Sequence, residues 1–575
     1  MAILKINDVE KITGLSKKAI RLYESNGLVT VARDENGYRN YSNINVDDLK
    51  AIKLLRTIGA SISDIKLYMF GVITKDELIN KRKSEILKES GKNSEKYHIC
   101  ESILSNNSAD DLIHFDFDES NEAEIKNYGT LIVGIDIGTT TVSASIYDID
   151  NKEQIEAYSL EHNSGVDIEE FSEQDVSVIL GKAKKLLFHI LDTYKGVVSI
   201  GITGQMHGIV YLDNKLNPVS NLINWQDKRA DKVLNNGKTT CQMIYDITEE
   251  HISTGYGIAT HYYNMLNNIV PKNATSVCSI MDLFAIQICG IEKPVTHTSV
   301  AVSLGIFDVQ KSEFMYDKLL SLGIERSFLP SVTDKSIIIG KCRDIPVSIP
   351  IGDNQASFLG SVDNNNDTIL VNMGTGSQVS MVGEYQNTSG DIETRPFIEG
   401  KYLVCGSALC GGLAYQMLEE FFRSYTQSCK MSDMPQYKIM NQIAKDGYQK
   451  GERGLLVDTS FCGKRSNPHY RGSILDIDKD KFTPSNLILG VLRGMCAELY
   501  ELYEQFSKKC THIIASGGAV KKNEVLQLLI KDIFSMEVTG NTFKEEAATG
   551  AALFSALALG KIDYKNGFYD YIRKR

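Results

Sequence analysis

Residues 131–150 read LIVGIDIGTTTVSASIYDID, and this stretch decides the fold of the larger part of the chain. Leu131–Asp136 is a short apolar run that ends in an acid. A glycine-hydroxyl turn follows, Ile137-Gly138-Thr139-Thr140-Thr141, and Val142–Tyr147 gives a returning strand. Strand, tight turn and strand gather backbone N–H groups and threonine hydroxyls around a concavity that suits an anion. Asp136, at the mouth of the turn, is positioned to hold Mg²⁺ directly or through a water. No G-x-x-x-x-G-K-[ST] occurs, so the expected phosphate-handling element is a hairpin and not a Walker loop. ATP chemistry is the expectation that follows.

Downstream segments extend this reading. Thr368–Asn372 reads as a strand, and Met373-Gly374-Thr375-Gly376-Ser377 repeats the glycine-hydroxyl turn. Two related hairpins far apart in the chain imply two similar lobes facing each other across phosphates. Val197–Thr203 is a strand running into Gly204-Gln205-Met206-His207-Gly208, where glycines flank three side chains aimed at a cleft. Gln205 and His207 suit hydrogen bonds to sugar hydroxyls. Trp225, the only tryptophan, can cover a sugar's apolar face while Asp227 takes hydroxyl protons. Ile351-Gly352-Asp353-Asn354-Gln355 places Asp353 after a strand and at the start of a helix. Phosphoryl transfer to an alcohol needs such an acceptor for the hydroxyl proton. A helix N-terminus also favours the ionised carboxylate. Thr511–Ala515 is a further strand, and Gly517-Gly518 after it lets a flat base and ribose lie close to backbone.

The first hundred residues read differently. A helix through Thr13, the turn Gly14-Leu15-Ser16 and a helix over Lys17–Asn26 make a helix-turn-helix, with Ser16 as N-cap and Gly27 as the stop. Lys17, Lys18 and Arg21 share one side of the second helix. Val29, Val31 and Arg33 then read as a strand, Asn36-Gly37 as a hairpin turn, and Tyr38, Arg39 and Tyr41 as the return. Such a wing sets cations on phosphates and rings against sugar. These pieces, with Leu54-Leu55-Arg56 through Gly59 and Ile65, resemble the DNA-binding domain of MerR-family transcription regulators over about residues 3–70. The resemblance implies that Lys17, Lys18 and Arg21 face the major groove of double-stranded DNA, and that Arg33, Tyr38, Arg39 and Tyr41 grip its backbone. It also implies a long helix that pairs two copies. Thr74–Ile103 fits one, but Gly91 interrupts its apolar stripe, so a homodimer by this route is an open expectation.

Composition bounds the rest. A chain of 575 residues exceeds what one hydrophobic core supports. The net charge of -11 argues against the whole chain being a nucleic-acid coat, yet residues 1–92 carry a modest excess of Lys and Arg while residues 105–128 read as an acidic linker. Its 11 cysteines show no C-x-x-C and no metal-ligand spacing, which implies free thiols in a reducing compartment. The start, Met1-Ala2-Ile3-Leu4-Lys5, reads without a secretory h-region, and no apolar run of about 18 residues is found. A cytoplasmic chain without membrane partners is expected.

Taken together, the segments over about residues 130–558 resemble the FGGY carbohydrate kinases of the actin-like ATPase superfamily. The implied fold is α/β: an N-terminal winged helix-turn-helix, then a two-lobed actin-like (ribonuclease H-like) body with five-stranded mixed sheets. The expected division is 1–72 for the DNA-binding domain and 73–128 for helix and linker. The lobes would be 129–365 and 366–560, with a tail over 561–575. The resemblance assigns Asp136, Gly138, Thr139 and Thr140 to the first phosphate segment and Gly374, Thr375 and Gly376 to the second. It gives Gly517 and Gly518 to the adenosine, Asp353 to the base, and Gln205, Met206, His207, Trp225 and Asp227 to the sugar. ATP and Mg²⁺ are the implied cofactors. Gly204–Gly208, Trp225-Gln226-Asp227 with Arg229, Gly255–Thr260 and Gly463-Lys464-Arg465 lean toward the sedoheptulokinase branch and hence a seven-carbon ketose. Lys228 departs from that pattern, and xylulose remains an alternative. Two other readings of the whole chain stand beside a kinase that binds DNA. One is a regulator using the kinase fold as a sugar or nucleotide sensor, and the other an N-terminal module that binds protein.

Overall fold

A computed structural model describes residues 4–105 apart from 27, 30, 34–38, 70 and 91–93, and residues 128–572 apart from 363–366, 375, 387–389, 431–433, 468, 542 and 566–567. Gly27, the Asn36-Gly37 turn, Tyr38, Gly91, Thr375 and nearly all of the linker therefore lie outside the described residues, and so does the side chain of Arg33. The chain divides into two compact units. One comprises Met1–Asn127 with Phe188–Lys195 and Glu419–Lys438, and the other comprises the remainder.

In the first unit, helix Ile6–Thr13 ends because Gly14 turns left-handed at φ 64°. Ser16 Oγ accepts the Ala19 N–H at 3.2 Å and starts helix Lys17–Ser25. Ile20 and Tyr23 point inward, packed in a core with Val9, Leu28, Leu49, Ile52 and Leu55. Lys17, Lys18 and Arg21 are exposed. Two short strands, Ala32–Arg33 and Arg39–Asn40, pair antiparallel as the wing. Arg39 donates to both oxygens of Glu24 at 2.9 and 2.6 Å, which ties the wing to the second helix. Tyr41 corrects an expectation. Its backbone pairs with Leu4 and its side chain is 1% exposed, so the ring fills the core and is not offered to a DNA sugar. In place of one long helix there are two, Lys75–Ser90 and Glu95–Ser105. They pair through Lys83, which meets Glu101 at 3.2 Å and lies over the Tyr97 ring.

The second unit holds two sheets built on one plan. Leu131–Ile137 pairs antiparallel with Thr141–Asp148 and parallel with Val197–Gly204. Thr368–Met373 pairs antiparallel with Ser377–Gly383 and parallel with His512–Ser516. Among the described residues, added strands bring the sheets to seven and six, which corrects the five that the resemblance implied. The first gains Glu153–Glu161, Ile338–Cys342, Ile345–Ser348 and the two-residue Ile351–Gly352; the second gains Ile392–Pro396, Tyr402–Ala408 and Glu537–Gly540. Helix Glu546–Ala558 lies so close on the first sheet that a Cβ on Gly134 would meet the Ala548 carbonyl at 1.8 Å. On its other side Gly550 touches helix Asp353–Leu359, where a Cβ would meet Ala356 O at 1.8 Å. No helix among the described residues is long and apolar enough to cross a membrane.

Candidate active site

Strand register assembles the first half of the site. Ile137 stands beside Gly204, and Gly204 beside Gly352. Gly138, Gln205 and Asp353, one residue further on each strand, therefore emerge at the same edge of the sheet. Asp136 sits one step inside that edge, paired with Thr203. Its Oδ1 is buried and has no hydrogen-bond partner among the described residues. Burial, then the Asp353 carboxylate, then Glu545 push the Asp136 carboxyl up to about 8. Asp353 opens its helix, and its Oδ1 accepts from Asn354 N at 2.7 Å and Asn354 Nδ2 at 2.9 Å. Burial raises its pKa, while Arg395 and the Asn354 donors oppose that rise.

The turn at 138–140 is braced from several sides. Gly138 N donates to Thr141 O at 2.9 Å. Gln174 Nε2 donates to Thr139 O at 2.7 Å, and Trp225 Nε1 to Thr139 Oγ1 at 2.9 Å. Gln205 Nε2 donates to Gly138 O at 3.3 Å and to Gln174 Oε1 at 3.0 Å, leaving its own Oε1 buried and without a partner among the described residues. Beside this turn lies a cavity of about 300 Å³ lined in part by Thr139, His162, Ser164 and Gln226. His162 Nδ1 and Ser164 Oγ are likewise buried without hydrogen-bond partners among the described residues.

The second turn lies at the end of strand Thr368–Met373. Gly374 N donates to Gly376 O at 2.9 Å, and Gly412 N to Gly374 O at 2.9 Å. Parallel pairing sets Asn372 beside Ser516, so Gly517 arrives next to the turn. Gly517 has φ 92°, and a Cβ there would meet Met373 O at 2.4 Å, so glycine is required twice over. Gly518 faces open space.

The remaining expected residues divide. His207 adopts φ 71°, and its ring lies against Tyr256 with centroids 4.4 Å apart. Its Nδ1 is 3.1 Å from Ser303 O. A carbonyl only accepts, so Nδ1 carries the proton and Nε2 is left as an acceptor. Burial, then Arg395, hold this imidazole down at about 3, so it is neutral at physiological pH. Met206 is buried, with its sulfur packed beneath Asn354 and Gly352, and it backs Asp353. Trp225 is 47% exposed, as a stacking surface requires. Asp227 corrects an expectation. Its Oδ1 accepts from Arg229 N and Nε, and its Oδ2 from Ser172 N and Arg229 Nη2. Both oxygens are engaged and the side chain is fully buried, so it organises the core instead of receiving hydroxyl protons.

Two residues that sequence reasoning missed complete the region. Glu393 and Arg395 lie on strand Ile392–Pro396. Arg395 Nε and Nη2 donate to Glu393 Oε2 at 2.9 and 2.5 Å, and Arg465 Nη1 donates to Oε1 at 2.6 Å. Burial acts to raise the Glu393 carboxyl, but the two guanidiniums outweigh it and hold it at about 2. Arg395 is 4% exposed, and its Nη1 has no partner among the described residues. Burial, then the Glu393 charge, push the Tyr256 phenol up to about 12. Among the described residues no three His, Cys, Asp or Glu are grouped to hold a metal ion.

Two lobes of one plan, each presenting a glycine-hydroxyl turn, with buried acids at the edge of one, define a phosphotransferase of the actin-like ATPase fold. The N-terminal domain of the FGGY family of carbohydrate kinases matches residues 131–360, and the C-terminal domain of that family matches 369–559. The chain belongs to the FGGY family and is a carbohydrate kinase, with a MerR helix-turn-helix domain over residues 4–71. It is 24% identical to a sedoheptulokinase of Mus musculus over 73% of this chain and 96% of that one. It is 23% identical to a xylulose kinase of Staphylococcus xylosus over 74% of this chain and 90% of the other. A gluconate kinase structure from Lactobacillus acidophilus superposes with a TM-score of 0.67 at 19% identity, covering 77% of this chain and 92% of its own.

Proposed function

We propose that this kinase transfers the γ-phosphoryl group of ATP to the terminal primary hydroxyl of a ketose, a seven-carbon ketose foremost, and that its N-terminal domain binds double-stranded DNA in the cytoplasm. The observation that carries the reading is the meeting of Asp136 and Asp353 at one sheet edge beside the first turn. Asp353 receives the hydroxyl proton at Oδ2, because Oδ1 is held by Asn354. A raised pKa makes it a stronger base than an exposed carboxylate. His207 Nε2 accepts a sugar hydroxyl, and Trp225 covers an apolar sugar face. Gly138, Thr139 and Thr140 hold phosphate oxygens from one lobe, and Gly374, Thr375 and Gly376 from the other. Gly517 and Gly518 lie against the adenosine.

Mg²⁺ fits this donor set. Asp136 offers an unpartnered buried oxygen beside a second carboxylate, an arrangement a cation relieves. Asp136 would hold the ion, directly or through water, and the ion would offset phosphate charge. Likeness to sedoheptulokinases in sequence supports the seven-carbon ketose, with xylulose as the nearest alternative.

The test is ADP release from ATP over a panel of ketoses that includes sedoheptulose and xylulose. Turnover is expected to be fastest on the seven-carbon ketose. Asp353→Asn is expected to lower kcat by roughly 10²–10⁴-fold, the range for loss of a general base, with sugar binding retained. Undiminished turnover in Asp353→Asn removes the base assignment. Turnover confined to sugars other than ketoses removes the substrate class.

A further inference from the structure

Cys410 and Cys462 are 52 residues apart in sequence, yet their sulfurs lie 3.6 Å apart, with the Cys462 thiol donating to the Cys410 sulfur. Cys410 is buried and Cys462 is exposed. Each belongs to a segment that serves the site. Cys410 directly precedes Gly411 and Gly412, which back the second phosphate turn. Gly412 N donates to Gly374 O at 2.9 Å, and a Cβ on Gly411 would meet Ser377 Oγ at 1.9 Å. Cys462 lies in the 461–472 loop, three residues before Arg465, whose guanidinium holds Glu393. Every one of the 11 cysteines is a free thiol, and this is the one pair for which a sulfur–sulfur hydrogen bond is recorded among the described residues.

We infer that Cys410 and Cys462 form a reversible disulfide when the protein meets a peroxide, and that this bond switches the kinase off. Cys462 reacts first because its sulfur is open to solvent. Its thiolate attacks one peroxide oxygen, giving a sulfenic acid and releasing hydroxide, which takes up a proton to become water. The Cys410 sulfur then displaces the sulfenic oxygen, which leaves as a second water. Two thiols and one hydrogen peroxide thus become one disulfide and two waters. Burial and the Cys462 contact hold the Cys410 thiol up at about 12, so it is poor prey for peroxide; its place 3.6 Å from the Cys462 sulfur is what makes it the resolving partner, its thiol proton leaving with the sulfenic hydroxyl as water. Closing the bond draws the two sulfurs nearer by roughly 1.5 Å. That movement pulls the 461–472 loop toward the Gly411-Gly412 corner. Arg465, three residues along the same loop, and the Gly411-Gly412 backing of the second phosphate turn are the two contacts this movement reaches.

The full chain, treated with a few equivalents of hydrogen peroxide, is alkylated, digested without reductant and mapped by mass spectrometry. A peptide pair joined through Cys410 and Cys462, two hydrogens lighter than the sum of its parts, is expected. Dithiothreitol is expected to separate the pair. Kinase turnover is expected to fall at least tenfold in the oxidised protein and to recover with the reductant, while Cys462→Ser keeps its turnover under the same peroxide. Linked peptides that never include this pair overturn the site. A linked pair with unchanged turnover, or equal inhibition of Cys462→Ser, overturns the switch. Mapping requires no sugar, so an error in the ketose assignment leaves the disulfide result intact.

Discussion

At the residue scale, the buried acid pair poses an electrostatic problem that a proton or a bound cation resolves. Asp136 ionises at about 8 in the folded chain against an ordinary 3.8, because burial and Asp353 both resist a second negative charge there. A group whose folded pKa is raised contributes stability below its unfolded pKa, and loses that contribution as pH climbs through the folded one. The window here runs from about 4 to about 8. Asp136→Asn removes the titration while keeping the shape. Without ligands it is expected to melt higher than the parent at pH 8, with the advantage shrinking toward pH 5, and to lose kinase turnover. Thermal melts at a series of pH values, beside an ADP-release assay, check both halves; an advantage independent of pH defeats the electrostatic account. Such a site trades stability for function. Legibility differs among its members. Asp136 and Asp353 are readable because each lies within two residues of a glycine at a strand end, a local pattern. Glu393 and Arg395 sit inside a strand without such a mark. They reach the site through pairing with Tyr402–Ala408 and through Arg465 on a distant loop. Asp227 misleads for the opposite reason: its neighbours in sequence look like a sugar clamp, yet its partners include Ser172, 55 residues away, and the pair with Arg229 is closed.

At the scale of elements, helix Glu546–Ala558 joins the two halves of the chemistry. It lies on the strands that carry Asp136 and against the short helix that Asp353 begins. Glycines make this approach possible, since Cβ atoms at Gly134 or Gly550 would fall 1.8 Å from backbone carbonyls. Gly550 has helical neighbours and no positive φ, so Gly550→Ala carries no backbone penalty and acts through space alone. Backbone on both sides cannot yield as a flexible side chain would. The substitution is expected to cost about 1–3 kcal/mol of stability, the usual range for overpacking. It is also expected to lower kcat, because Ala356 must move and Asp353 begins the same helix. Denaturant titration and initial rates measure these effects; a variant as stable and active as the parent contradicts the packing argument. Element order was legible from the repeat of strand, glycine-hydroxyl turn and strand. Sheet size was not. Ile351–Gly352 is a two-residue strand, too short to show a period, and Ile392–Pro396 is a short edge strand whose apolar pattern Glu393 and Arg395 interrupt.

At the scale of the whole molecule, two compact units carry two chemistries of opposite electrostatic taste. The larger unit gathers buried acids at one sheet edge, while the smaller presents Lys17, Lys18 and Arg21 on an exposed helix side. This contrast was visible in the uneven charge of a chain whose net charge is -11. Glu10 tempers the pattern, since it meets Lys17 Nζ at 3.7 Å and accepts the Lys17 backbone N–H at 3.2 Å. Lys18 and Arg21 are therefore the sharper probes. Arg39 braces the wing through Glu24, so its loss confounds contact with geometry. A cation on a DNA phosphate releases condensed counterions, and the logarithm of affinity falls with the logarithm of salt by about 0.9 per contact. The double variant Lys18→Ala with Arg21→Ala is expected to weaken promoter binding and to flatten the salt slope by as much as about 1.8 if both side chains meet phosphates. A base contact at Arg21 would instead leave half of that change and relax sequence preference at one position. Binding isotherms of the full chain on its own promoter DNA, taken at four or more salt concentrations, separate these outcomes. A salt slope unchanged by the double substitution would falsify the assignment of this helix side to DNA.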